Sequence, residues 1–308
     1  MLKFAVKRIL FMIPSIIIIT LVTFVIMSFS AGSPGSVALG ITASPEDIAA
    51  YNHEVGYDRP VLVRYGEYMF NILHGDFGER YSDGVSVTQV LMPKFPTTLK
   101  LALLAVFFAA LIGIPLGVLA AVKKGTIADT GTTVISLVLA SIPGFWLGLL
   151  LMLLFSYQLG WLPTFGLGSW KNYVMPVATL AIPSSAYVAR MVRMTMLEAL
   201  SSDYVRTARA KGAGPARIVF IHVLRNAMLP VITQLGMSFA GLLGGAVIAE
   251  QIFGLPGFGS AILEAINKKE TMVVLGATVF LSLLYMLIML AMDLINALLN
   301  PKIRDNMG

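Results

Sequence analysis

The run from Ile9 to Phe29 constrains this chain more than any other feature, because it holds 21 consecutive residues without a charged side chain. As a helix rising ~1.5 Å per residue it matches a bilayer hydrocarbon core of ~30 Å. Five more apolar stretches follow, at about 101–122, 130–157, 173–189, 226–249 and 271–292, each bounded by charges or by Gly and Pro. Composition agrees: 57% of the 308 residues are hydrophobic and 12% charged, where a soluble domain carries roughly a quarter charged. The expected architecture is an all-α membrane protein of six transmembrane helices. Lys3, Lys7 and Arg8 precede the first run as in a secretory signal, but its 21 residues exceed the roughly 7–15 of a signal's apolar region, so it reads as a retained helix.

With six crossings, segments 1–8, 123–129, 190–225 and 293–308 share one side. They hold fourteen of the 22 Lys and Arg but five of the 16 acids, leaving eight basic and eleven acidic residues elsewhere. Basic loops stay in the cytoplasm, so both termini are expected inside, and the net charge of +6 reflects topology with no need for nucleic acid. Residues 32–96 fall outside. They carry eight acids and several Gly turns, which suits a small folded extracytoplasmic subdomain, with Gly75, Asp76 and Gly78 forming a tight turn that positions it.

Catalytic chemistry has little to work with. There is no cysteine, which removes thiolate nucleophiles and Cys-based metal sites. The histidines are His53, His74 and His222, all outside the spans, and neither HExxH nor GxSxG occurs. Glu250 and Asp293 sit at span ends, where a solvated role is expected. No phosphate-binding G-x-x-x-x-G-K-[ST] loop is present, so active transport would need a separate ATPase. The basic 190–226 segment offers it a place. Helix formers run from Asp203 to Lys211, Gly212 and Gly214 supply a turn, and Pro215 starts a second short helix. On the residues alone, an ATPase-docking helix–turn–helix and a basic amphipathic segment lying on anionic lipid are equally open.

The stretches DYVRTARAKG (203–212) and HVLRNAMLP (222–230) resemble the coupling loop of ATP-binding-cassette importer permeases, specifically the B-type permease of the dipeptide, oligopeptide and nickel family. Gly212 takes the loop's glycine position, while Arg206 stands at the usual glutamate and His222, Leu224 and Arg225 at the later I-x-L-P positions. Further markers resembling that family follow in order: LHGDFG (73–78), PTTL (96–99), SIPGF (141–145), LGWLP (159–163), RMVR (190–193) and FGLPGFG (253–259). Two places depart from it, Ala31-Gly-Ser-Pro34 and Asn267-Lys-Lys-Glu-Thr271.

The resemblance implies a type I importer permease fold and a non-catalytic subunit that binds no cofactor itself, with ATP and Mg held by partner ATPases. It implies four kinds of partner: a second homologous permease in a heterodimer, two ATP-binding subunits, an extracytoplasmic substrate-binding protein and the lipid bilayer of a bacterial or archaeal cytoplasmic membrane. The implied ATPase contacts are Asp203, Arg206, Arg209, Lys211, Gly212, Arg217, His222 and Arg225. Peptides are the expected cargo, nickel or a metal chelate the alternative, and a stand-alone channel or membrane enzyme the competing class. Pro143, Pro176 and Pro183 are expected to break helices along the path. Gly241 and Gly245, with Gly236 and Ala240 one register earlier, allow close helix approach, either within one bundle or against the second permease. The divisions expected are 1–31, the first helix; 32–96, the outer subdomain; 97–300, a five-helix core containing the coupling loop 190–226; and 301–308, a cytoplasmic tail.

Overall fold

A computed structural model gives residues 2–29, 32–40 and 42–299; Ala31 and the expected tail 301–308 lie outside the described residues, as do the side chains of Lys3, Lys7 and Arg8 and the surroundings of Gly245. Helices dominate. In chain order they are α1 (Leu2–Ser28), α2 (Pro34–Ala38), α3 (Pro45–Glu54), α4 (Val61–Leu73), α5 (Val87–Leu91), α6 (Phe95–Val122), α7 (Ile127–Ser141), α8 (Gly144–Leu151), α9 (Lys171–Leu200), α10 (Asp203–Ala210), α11 (Pro215–Arg217), α12 (Leu224–Gly245), α13 (Val247–Ile252), α14 (Phe258–Asn267) and α15 (Thr271–Leu299). Wider π-helical turns over Met152–Gln158 and Ile218–Val223 extend α8 and join α11 to α12.

Among the described residues, four helices are long and apolar enough to cross a membrane: Leu10–Ser28, Phe95–Val122, the continuous Pro215–Gly244 and Thr271–Leu298. One further pair passes the same test only when its two bent halves are taken together. The expected single span 130–157 is instead Ile127–Ser141 followed by Gly144–Gln158, bent by 95°. Pro143 is the cause: a residue before proline is pushed out of the helical region, and Ile142 is extended at φ −73°, ψ 123°. Pro176 and Pro183, by contrast, lie inside an unbroken α9, so the expected breaks there are absent.

The fourth expected span, 173–189, falls within the 30 residues of α9, which is not apolar enough to pass as a span alone. Its surroundings explain why. Helix α9 packs against α7, α8 and α12 and buries Asn172, Thr179 and Ser185 beside Met175, Val188 and Val192. Facing protein, it carries hydroxyls whose hydrogen bonds close within the helix: Thr179 Oγ1 donates to the Met175 carbonyl at 2.8 Å and Ser185 Oγ to that of Ile182 at 2.7 Å.

The chain divides into two compact units. One comprises residues 99–255 and the described residues from 288 onward. Its core has two clusters, one around Val188, Val192, Met196, Val205, Ile218 and Val223, the other around Leu101, Met175, Ala181, Ala249 and Phe253. Close approach of α6 to α9 comes from Gly113 and Gly117. A Cβ at Gly113 would lie 2.6 Å from the Ser185 carbonyl oxygen, and one at Gly117 2.5 Å from that of Ala189. Glu250, expected to be solvated, is fully buried within α13, where its backbone carbonyl accepts the Leu255 N–H at 2.8 Å.

The other unit comprises residues 2–98 and 256–287. Within it the 32–96 segment shares its core with later chain: Val87 and Leu91 pack with Phe258, Ala261, Val273 and Ala277, and Tyr68 with Phe24, Leu275 and Val279.

Candidate functional site

The 190–226 segment is built on the end of α9. Arg193, on that helix, reaches the first turn of α7, where its Nε donates to Asp129 Oδ1 at 2.5 Å and a terminal nitrogen to Oδ2 at 2.9 Å. The Gly125 N–H adds a third bond to Asp129 Oδ2 at 3.0 Å. A two-pronged guanidinium–carboxylate pair of this kind fixes orientation as well as distance. The sequence reading did not single out Asp129, since a carboxylate at a helix start has an ordinary role at the positive end of the dipole.

Helix α10 is amphipathic, and its apolar face is taken up by protein. Val205 is fully buried in one cluster with Val192, Met196, Ile218 and Val223. The opposite face leaves Asp203, Arg206, Arg209 and Lys211 exposed, and Arg217 and Arg225 are exposed further on. Asp203 and Arg206 approach to 3.8 Å in open solvent, a pair of little energetic weight. The helix closes on Gly212 at φ +81°, with the Gly212 N–H donating to the Arg209 carbonyl at 2.9 Å and the Ala213 N–H to that of Ala208 at 3.1 Å. This is a left-handed helix end, a conformation that favours glycine.

Beyond the turn, Pro215 does begin a helix. The expected short second helix does not end, however, but runs through the π-helical turn Ile218–Val223 directly into α12. The turn and the two helices enclose a cleft of about 400 Å³ whose lining includes Tyr204, Thr207, Lys211, Gly212, Arg217 and the half-buried His222. Four of the eight expected contact residues, Lys211, Gly212, Arg217 and His222, therefore line one cleft, and the exposed Lys211 and Arg217 make it basic.

The other candidates separate. Pro143 forms the α7–α8 corner, whereas Pro183 sits within α9. Gly241 faces open space, with nothing within 4 Å of a Cβ built there, so it makes no close approach to another of the described residues. Gly236, one register earlier, does: a Cβ there would collide with Met292 of α15.

In the second unit, Gly75 and Gly78 have φ +85° and +82°, and Asp76 Oδ1 accepts the Gly78 N–H at 2.8 Å, so these three residues form the expected turn. The chain after it is held by Glu270, almost fully buried, which accepts the N–H groups of Tyr81 at 2.8 Å and Ser82 at 3.1 Å. Burial pushes the phenols of Tyr68 and Tyr81 upward, and the Arg80 guanidinium bonded to Asp83 holds that carboxyl below its usual range. Glu270 escaped the sequence reading because Asn267-Lys-Lys-Glu-Thr271 looks like a solvated charge run.

A family model described as binding-protein-dependent transport system inner membrane component matches residues 113–305, and one for the N-terminal part of such components matches residues 1–102. A glutathione transport system permease protein of Salmonella choleraesuis is 36% identical over 304 residues, covering 99% of each chain. A di/tripeptide transport system permease protein of Pseudomonas aeruginosa is 36% identical over 333 residues, also covering 99% of each. Among solved structures, a methionine ABC transporter in inward-facing conformations aligns with TM-score 0.56 and 23% identity over 69% of this chain and 97% of that one. An amino acid ABC transporter aligns with TM-score 0.52 and 19% identity over 70% and 94%.

Proposed function

Since the chain belongs to the binding-protein-dependent transport system inner membrane components, it is a permease subunit of an ABC importer, and we propose that it forms half of a pathway for short peptides. Relatives named for glutathione and for di- and tripeptides favour this cargo over nickel. In this reading the six crossings are α1, α6, the α7–α8 corner, α9, α11–α12 and α15, with both termini in the cytoplasm and 32–96 outside. A second permease completes the pathway, two ATPase subunits holding ATP and Mg drive it, and a binding protein delivers the peptide.

Coupling is assigned to 190–226, and one observation carries that assignment: Val205, Ile218 and Val223 are buried against α9. A segment resting on lipid would turn such residues to the bilayer. Here they make the basic surface and the end of α9 one packed body, so a partner that displaces the surface displaces the helix, which is how a bistable bundle is biased from outside.

The test is Gly212→Val in the assembled transporter, reading ATPase co-purification and peptide-stimulated ATP hydrolysis. Holding valine at φ +81° costs roughly 1–3 kcal/mol of backbone strain, so both readouts are expected to fall. Retention of both, with graded losses from single Arg→Gln changes instead, would return the segment to the lipid surface.

A further inference from the structure

The crossing of α6 and α9 leaves an opening that the transport reading does not use. The two helices touch where Gly113 and Gly117 meet the backbone of Ser185 and Ala189. Toward the start of α9 they part, and a groove of about 590 Å³ opens between them. Its α6 wall is Leu104, Phe108 and Ile112, spaced four apart on one helix face, and its α9 wall includes Val174, Ala178 and Ala181. Polarity is confined to the mouth. There Lys100 Nζ sits 4.1 Å from the centre of the Tyr173 ring, and Trp170 is 73% exposed. Among the described residues no carboxylate pairs with Lys100.

We propose that this groove binds one acyl chain of an anionic phospholipid, with Lys100 holding the headgroup phosphate. The dimensions select the occupant. From Lys100 to Ile112 the groove runs about 18 Å at 1.5 Å per residue, a little more than half of a ~30 Å hydrocarbon core, and so one leaflet. Spread over that length, its volume gives a cross-section of roughly 33 Å², against about 80 Å² for a helix ~10 Å across. A groove of that section accommodates a slender hydrocarbon chain lying along it. A cation at the top of an apolar slot, beside an exposed Trp and a Tyr, matches a phosphate at the headgroup level. The inference needs the chain to lie in a membrane but is independent of cargo and of the coupling assignment.

The absence of cysteine from this chain makes the test direct. Ala178→Cys carrying a photoreactive maleimide places a single crosslinker in the groove, in the assembled transporter held in nanodiscs of equal phosphatidylglycerol and phosphatidylcholine. Adducts are read by mass on this chain. Phospholipid adducts are expected, with phosphatidylglycerol enriched about fivefold, the effect of one basic residue worth ~1 kcal/mol near a membrane surface. Lys100→Gln should bring the ratio to that of the mixture, Lys100→Arg should keep the enrichment, and Ala181→Phe should suppress both adducts by filling the slot. An adduct with another protein chain, no lipid adduct, or an enrichment unchanged by Lys100→Gln would each overturn the assignment.

Discussion

Glycine at 3- and 4-residue spacing means different things at different places in this chain, and the contrast can be measured. Gly117 has backbone oxygen 2.5 Å from where a Cβ would stand, and backbone cannot step aside as a flexible side chain can. Gly117→Val is therefore expected to cost at least the ~1–3 kcal/mol of an overpacked core, lowering the Tm of the detergent-purified protein and its monodisperse yield. Gly241 opens onto empty space, so Gly241→Ala should leave the Tm of this subunit alone within about 0.5 kcal/mol. If Gly241→Ala also weakens recovery of the second permease, that face meets the partner. Recovery equal to wild type places it against lipid or the pathway. Sequence reading chose the Gly241–Gly245 pair and passed over Gly113-x-x-x-Gly117, although both lie inside long apolar runs and look alike there. Which glycine is used depends on what faces it, and that information is not local.

At the level of elements, legibility followed solvent. Helices that face lipid must be apolar along their length, and α1, α6 and α15 were visible as uncharged runs for that reason. Helix α9 faces protein, carries Asn172, Thr179 and Ser185 on its buried side, and so gives a weak apolar signal over 173–189 although it runs for 30 residues. Turn chemistry was legible where one residue forces the backbone: Pro143 at the α7–α8 corner, Gly212 at the end of α10. Continuity was not, because Pro215 marks a helix start and nothing between it and Gly245 marks that the helix fails to stop. That continuity makes Val205 a sensitive position. Val205→Ala removes buried methyl groups that join α10 to α9 and to the α11–α12 helix, a loss of roughly 1–3 kcal/mol. In the coupling reading, ATP hydrolysis by the assembled transporter should persist while peptide moved per ATP falls. A proportional fall in both would mean the residue serves folding alone.

For the molecule as a whole, the near-absence of charge within the expected spans bears on selectivity. A peptide is a zwitterion, and an isolated charge at the centre of a membrane helix costs ~2.5–3.5 kcal/mol on insertion scales, so a permease that keeps charge out of its spans has little with which to discriminate peptide termini. On the proposed function, recognition is then expected of the binding protein. Exchanging that protein while keeping this permease should change which peptides are taken up, as read by competition among labelled di- and tripeptides. An unchanged preference would put discrimination in the spans.

The corner at Pro143 also governs how the chain is made. Helix α7 has 15 residues, a rise of about 22 Å at 1.5 Å each, short of a ~30 Å hydrocarbon core; the stretch Gly144–Gln158 has the same length. Neither arm can settle in the bilayer as an independent stop-transfer segment when it leaves the ribosome. Both arms pack on α9, which is synthesised afterwards and is itself too polar to partition well alone. On these lengths, insertion of this part of the protein is expected to join the three segments, and to be complete only once translation has passed Leu200.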